Sequence, residues 1–264
     1  MGRWEVILLR APRSTKAVRA AGIRRVRATE ERRLYGVARG LLIEYQGKVL
    51  ANLARETEGL AALRGRTLID VPPSILQAIL AGAFDQNRWE SAIFAIGREI
   101  LIRGANETMH DPDVTTAVAE GRREWILDRT RTLVRSVKET QDGTLASLIS
   151  EAIANGDSVS ALTRSIRESF TGTRRYQASR IAITETGAFL NHGATESMKQ
   201  AGVAEKEWLA TIDDHTRETH LAANGQRVPV DGDFIVGSGS GPHPGMMGVA
   251  EEDIGCRCTV IAVV

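Results

Sequence analysis

The stretch DDHTRETH, Asp213 to His220, brings three carboxylates, two histidines and an arginine into eight residues, and GCRC further on holds the two cysteines of the chain. Side chains of these types can ligate a metal, move protons or form buried ion pairs, and spacing separates the three. Cys256 and Cys258 are two apart, so on a strand both sulfurs face the same side. With His220, and with Asp214, His215 or His243 as a fourth ligand, they can complete a tetrahedral zinc site. The competing reading is two small, partly buried residues in a terminal strand, with Arg257 directed the other way. Catalytic spacing is missing. His215 and His220 are five apart with no Glu after the first, unlike the helical zinc-protease motif. The H-x-E and P-C-x-x-C pair of zinc deaminases, a Walker lysine and G-x-S-x-G are also absent. On spacing, the chain reads as a non-enzyme with no catalytic residue.

The elements that must position this cluster are mostly helical. From Glu30, Leu34, Val37, Leu41, Tyr45, Val49 and Leu53 fall at three- and four-residue steps and predict an amphipathic helix. A loop rich in Gly and Arg follows, and Pro72-Pro73 opens a second helical stretch. Further helices are expected from the Trp89 region to near Gly104 and from about Val114 to Thr140, with a turn at Asp111-Pro112-Asp113. Gln141-Asp142-Gly143 is expected to break the chain before a helix ending at Gly156. Asp157-Ser158 offers an N-cap for the next. Gly172 is expected to stop that one, and a last long helix runs from about Arg174 to Gln200, ended by Gly202. Beyond it the pattern changes to short strands at Lys206–Ile212, Gln226–Val230 and the C-terminal CTVIAVV, with Asn224-Gly225 as a turn. The fold class expected is α+β, a mainly helical body whose long helix leads into a small C-terminal mixed α/β subdomain.

On the long helix, Ile181, Glu185 and Phe189 stand four apart, and Ala178, Ala182 and Ala188 widen that face with small side chains. A carboxylate there is either at the wet edge of the stripe or buried, and burial demands a cation. Arg217 is the expected partner. Glu185, Asp213, Asp214, His215, Arg217 and His220 are accordingly read as one structural polar cluster.

Composition bounds the partners. The net charge of the chain is +1, but the first forty residues carry an excess of about +8. Residues 1–29 read as a basic arm without apolar period, either solvated and flexible or folded onto an acidic surface. Arg13, Lys16, Arg19, Arg24, Arg25 and Arg27 are its candidate contacts to nucleic acid or an acidic protein. An organelle-targeting peptide is the alternative for this Arg-rich stretch. No apolar run approaches the roughly 18 residues of a membrane span, and two cysteines one residue apart make no disulfide framework. The expectation is a soluble protein made in the cytoplasm, with no membrane partner. Three parts are expected: the arm, 1–29; a helical domain, 30–172; and a C-terminal domain, 173–264.

Several pieces in order resemble the bacteriophage minor head, or head morphogenesis, proteins of the Mu F type. They are G-D-S-V-S-A-L after Asn155, R-I-A-I-T-E-T at Arg180–Thr186, Asn191, K-E-W at Lys206–Trp208, D-D-H-T-R-E-T-H, G-Q-R-V-P-V at Gly225–Val230, Phe234, Pro242, Pro244-Gly245 and C-R-C. The resemblance covers roughly half the chain and none of it before about residue 115. It implies a minor structural protein of a tailed-phage head. Such a protein would be recruited through the portal during assembly, sit inside the virion head near the portal, and take part in packaging or ejecting DNA. The portal protein, duplex DNA bound through the basic arm, and the major capsid or scaffold protein are the implied partners. A transient assembly adaptor absent from the mature particle, or an enzyme or toxin module, are the alternatives. Two departures bear on the site. Ile183 stands where the family often has Arg, which leaves Glu185 more in need of another cation. Arg217-Glu218-Thr219-His220 replaces a C-x-x-C of some members, so the resemblance implies a salt bridge from Arg217 to Glu185 or Asp213 and no cofactor, with zinc on His220, Cys256 and Cys258 as the lesser reading.

Overall fold

The structure is a computed structural model that describes residues 16–59, 74–110 and 112–263. Its elements, in chain order, are helices α1 (Lys16–Gly59), α2 (Ser74–Leu80), α3 (Gln86–Met109), α4 (Pro112–Gly121), α5 (Arg123–Ala154) and α6 (Val159–Gln200). They are followed by β1 (Glu205–Leu209), α7 (Glu218–Ala222), β2 (Arg227–Pro229), β3 (Phe234–Val236), β4 (Gly239–Gly241), α8 (Ala250–Asp253) and β5 (Thr259–Val263). The expected α+β class, mainly helical with a small mixed subdomain at the C-terminal end, is what the chain forms. The Gly/Arg loop, Pro72-Pro73, Asp111 and Arg13 lie outside the described residues.

Four expected boundaries differ. Helix α1 starts by Lys16, well before Glu30. Among residues 21–30 of this helix Arg27 and Glu30 are buried, and Ile23 and Val26 are half-buried beside them. A stripe that alternates charged with apolar residues is invisible to apolar periodicity. Helix α5 runs through Gln141-Asp142-Gly143, because Gln141 is buried and donates to the side chain of Gln177 (3.1 Å), while Lys138 and Asp142 pair one turn apart. Helix α6 runs through Gly172, and Thr173 bonds back to the Ser169 carbonyl (2.8 Å) within the helix. One exposed glycine costs a helix only about 1 kcal/mol. The boundaries expected at 29/30 and 172/173 therefore both fall inside helices. In the other direction, the stretch expected as one helix from Val114 is two, with Arg122 between α4 and α5.

The described residues form two compact units. One comprises Gly36–Ile93 and Asp128–Ala178. Its core is Tyr45, Val49 and Leu53 of α1 against Ile79, Leu145, Ile149, Leu162, Ile166 and Phe170. Phe84 stacks on Trp89 (5.1 Å) and meets Tyr45 edge-on. The helix turn before α6 is built as expected: Gly156 has φ 68°, and Ser158 accepts from the Ala161 N–H (3.2 Å).

The other unit takes the chain up to Tyr35, Phe94–Leu127 and Ser179 onward. Within it, α3 and α6 touch through backbone. A Cβ at Gly104 would lie 2.2 Å from the Leu190 carbonyl oxygen, and one at Gly193 would lie 2.1 Å from that of Leu101. Beyond Gly202 (φ 69°) a three-stranded antiparallel sheet has the order β2-β1-β5, with Trp208 opposite Val260. Strands β3 and β4 form a separate hairpin. Trp208 and Phe234 are fully buried and meet edge-on (5.5 Å). No helix among the described residues is long and apolar enough to cross a membrane.

Candidate functional site

The C-terminal turns are carried on one face of α6. Thr184, Gly187, Ala188 and Asn191 recur at helical spacing. Thr184 Oγ1 accepts from the Gly255 N–H (2.9 Å), Gly187 leaves room for the Cys256 carbonyl, and Ala188 packs on Gly245. Asn191, fully buried, donates to the carbonyls of Pro244 and Cys258 (both 3.1 Å) and accepts from Thr259 Oγ1 (2.9 Å) and the Val260 N–H (3.2 Å). All four hydrogen-bonding positions of the amide are thus used, and the segment leading into β5 is fixed to the helix.

Against that segment stands His220, on the short helix α7. Its Nδ1 lies 3.3 Å from Cys258 Sγ and 3.7 Å from Cys256 Sγ, and its Nε2 lies 2.9 Å from Glu252 Oε2. All four side chains are buried. A carboxylate can only accept here, so Nε2 carries a proton, and in the neutral imidazole Nδ1 presents its lone pair to the two sulfurs. Thr219 Oγ1 also donates to Glu252 Oε2 (2.9 Å). The carboxylate is seated against Gly237, whose φ of 56° and missing Cβ are both required, since a Cβ would stand 2.0 Å from Oε1.

The electrostatics of the thiols are asymmetric. The hydrogen bond from Cys256, then a backbone bond from Thr211 and the nearby Arg27 guanidinium, pull Cys258 down to about 7 against the effect of burial. The same bond and burial push Cys256 well up. Burial works to lower the His220 pKa, but hydrogen bonding to Cys256 and the charge of Glu252 leave it raised.

The structure brings His220, Cys256 and Cys258 together, and their ligand atoms lie within 4.8 Å of one another. A shallow cavity opens onto them, lined also by Thr211, Asp213, His215, Thr216, Arg217 and Arg257. The remaining expected residues are placed differently. Asp213 accepts from the His215 N–H (2.9 Å) and from Thr216 Oγ1 (3.1 Å) in a local turn, which holds its carboxyl below the usual range. Asp214 and His215 are exposed. His243 is engaged elsewhere: its Nδ1 donates to the Pro244 carbonyl (3.1 Å) and its Nε2 faces His192 Nδ1 (3.1 Å), whose ring stacks on Trp125.

One expectation is corrected, that for Arg27. Arg217, expected to pair with Glu185 or Asp213, donates to the Ile254 carbonyl (2.6 Å). The carboxylate of Asp213 is already met by turn donors, and Glu185 is buried on α6. Arg27 is not a surface contact of a basic arm. It is buried, and its Nη2 donates to the Cys258 carbonyl (3.0 Å). Desolvation lowers its pKa while the neighbouring thiols and Glu31 oppose this. Arg24 and Arg25 on the same helix are exposed, and of Lys16 and Arg19 the helical backbone alone is described. Glu252 was missed by the sequence reading. Its only signal is an acidic run, Glu251-Glu252-Asp253, just ahead of C-R-C.

Long helix, Asn191 hub and C-R-C segment all fall in the part of the chain that matches a known family. Residues 144–261 match the family model described as Phage Mu protein F like protein. The chain is 36% identical over 61 residues to the minor head protein GP7 of Bacillus phage SPP1, covering 23% of this chain and 20% of that protein. It is 42% identical over 113 residues to a protein named NAD(+)–arginine ADP-ribosyltransferase EFV of Enterococcus faecalis (strain ATCC 700802 / V583), covering 41% of this chain and 23% of the relative. The chain thus spans under a quarter of the length of either relative. No solved structure matches.

Proposed function

We propose that the chain is a minor structural protein of a tailed-phage head, associated with the portal during assembly, retained inside the head and released with the DNA. The observation that carries this reading is the match to the Mu F family model over residues 144–261, beside a relative that is named a minor head protein. The geometry supports an architectural role, since the buried Asn191 amide and the Glu252 carboxylate are spent on fixing backbone and side chains in place. The portal protein is the proposed partner, with the major capsid or scaffold protein next. Duplex DNA is proposed to meet Arg24 and Arg25 on α1, together with Arg13, Lys16 and Arg19.

Quantitative mass spectrometry of purified particles, before and after triggered DNA release, tests this. A few copies per full head, lost on release, is the expected result. Absence from full heads would end the virion reading in favour of a transient assembly adaptor. The enterococcal relative's name motivates an enzymatic reading, in which the purified chain transfers label from NAD to an arginine acceptor. The match covers 23% of that relative, and we expect no transfer.

A further inference from the structure

We propose that His220 Nδ1, Cys256 Sγ and Cys258 Sγ form a three-ligand site for a thiophilic divalent cation, zinc first, with a fourth position facing the cavity beside Asp213 and His215. This goes beyond the head-protein reading and does not depend on it.

Distance is the first argument. Tetrahedral zinc with bonds of about 2.3 Å to sulfur and about 2.0 Å to nitrogen sets its S and N ligands about 3.5 Å apart. The two N···S separations here, 3.3 and 3.7 Å, bracket that value. The second argument is the tautomer. Glu252 Oε2 accepts the hydrogen bond from Nε2–H (2.9 Å), and Thr219 and the cradle at Gly237 hold Glu252 in turn. A carboxylate behind the far nitrogen of an imidazole is the arrangement that orients histidine as a metal ligand. Third, the donor set is soft, two sulfurs and one imidazole, which favours zinc over magnesium or calcium.

The fourth position follows from topography. The remaining side of the three donors opens on a cavity whose wall includes Asp213, His215 and Thr216. Asp213 is turned into its own loop, so water is the expected fourth ligand. Arg217, three residues before His220, takes no part in ligation, being held on the Ile254 carbonyl. The cation would tie α7 to the segment before β5, two pieces of chain separated by 36 residues at their nearest ligands.

The test uses the full chain, reduced and stripped with chelator, then titrated with cobalt(II) and with zinc. Cobalt is expected to give an intense near-ultraviolet sulfur-to-metal band and the strong visible absorption of tetrahedral coordination. Zinc is expected to displace it at about one per chain. Zinc at about a hundredfold its Kd should raise Tm by about 5–10 °C, and magnesium should not. The variant Cys256→Ala/Cys258→Ala should lose both signals. Since that variant can fail to fold, Glu252→Gln is the second: it keeps a partner for Nε2 and should weaken zinc about tenfold or more. A wild-type chain that shows no sulfur-to-cobalt band and no zinc-dependent Tm shift would overturn the site, leaving thiol–imidazole hydrogen bonds only. Particle composition is untouched by that result, so its failure is distinguishable from failure of the head-protein reading.

Discussion

Lys206 is fully buried on β1, its Nζ makes no hydrogen bond among the described residues, and it stands 5.4 Å above the Phe234 ring. Burial, with Lys199 nearby, lowers its pKa to about 8 although Asp231 and Asp233 oppose this. The unfolded chain holds that proton up to the ordinary lysine range near 10.5. Between the two values the unfolded state therefore binds more protons, and this group makes stability rise with pH from about 8 to about 10.5. Below pH 8 the cost of the buried charge is present in full. Lys206→Met should stabilise the protein by about 2 kcal/mol at pH 7. The gain should shrink to nearly nothing by pH 10.5. Urea unfolding of both proteins across that range checks it, and a gain independent of pH would mean that side-chain packing, not charge, is the cause.

At the scale of elements, the contact between α3 and α6 is set by glycine. Their backbones meet at Gly104 with Leu190 and at Gly193 with Leu101, while the Phe189 ring fills the space over Gly97. A methyl group at Gly193 would have to move a helix backbone, which a packed interior resists. Gly193→Ala should cost about 3 kcal/mol, at the upper end for overpacking. Gly143 in α5 is the control: it is exposed and helical, and a Cβ there meets nothing within 4 Å. Gly143→Ala should stabilise by about 0.5–1 kcal/mol. Thermal unfolding of the two single variants should move in opposite directions. Equal losses would mean that helix propensity is not what Gly143 affects.

At the scale of the whole molecule, the buried position of Arg27 changes how DNA binding must be tested. Deleting residues 1–29 would remove the guanidinium that holds the Cys258 carbonyl, together with the start of α1. Loss of DNA binding after such a deletion would then report misfolding. Arg24→Glu/Arg25→Glu reverses two exposed charges and leaves Arg27 in place. This variant should bind duplex DNA at least about tenfold more weakly at low salt. Its salt dependence should also be shallower by about two phosphate contacts, and circular dichroism should be unchanged. Unaltered DNA affinity would remove α1 from the list of nucleic-acid contacts.

The sequence by itself determined the helical body, the change to short strands after Gly202, the caps at Ser158 and Gly156, and the resemblance to Mu F-like proteins. These features rest on local period, turn chemistry and motif order, which a chain carries without knowing its fold. It could name His220, Cys256 and Cys258 as possible ligands from residue type alone. Only the tertiary fold brings them together, sets Glu252 behind the imidazole, and buries Arg27 against the Cys258 carbonyl. The reason is physical. Partners 32 to 231 residues apart are chosen by packing, and a charged residue is buried only where distant groups compensate it. For the same reason apolar period alone starts α1 late: Arg27 and Glu30 are buried ahead of Leu34, and no apolar pattern announces their burial.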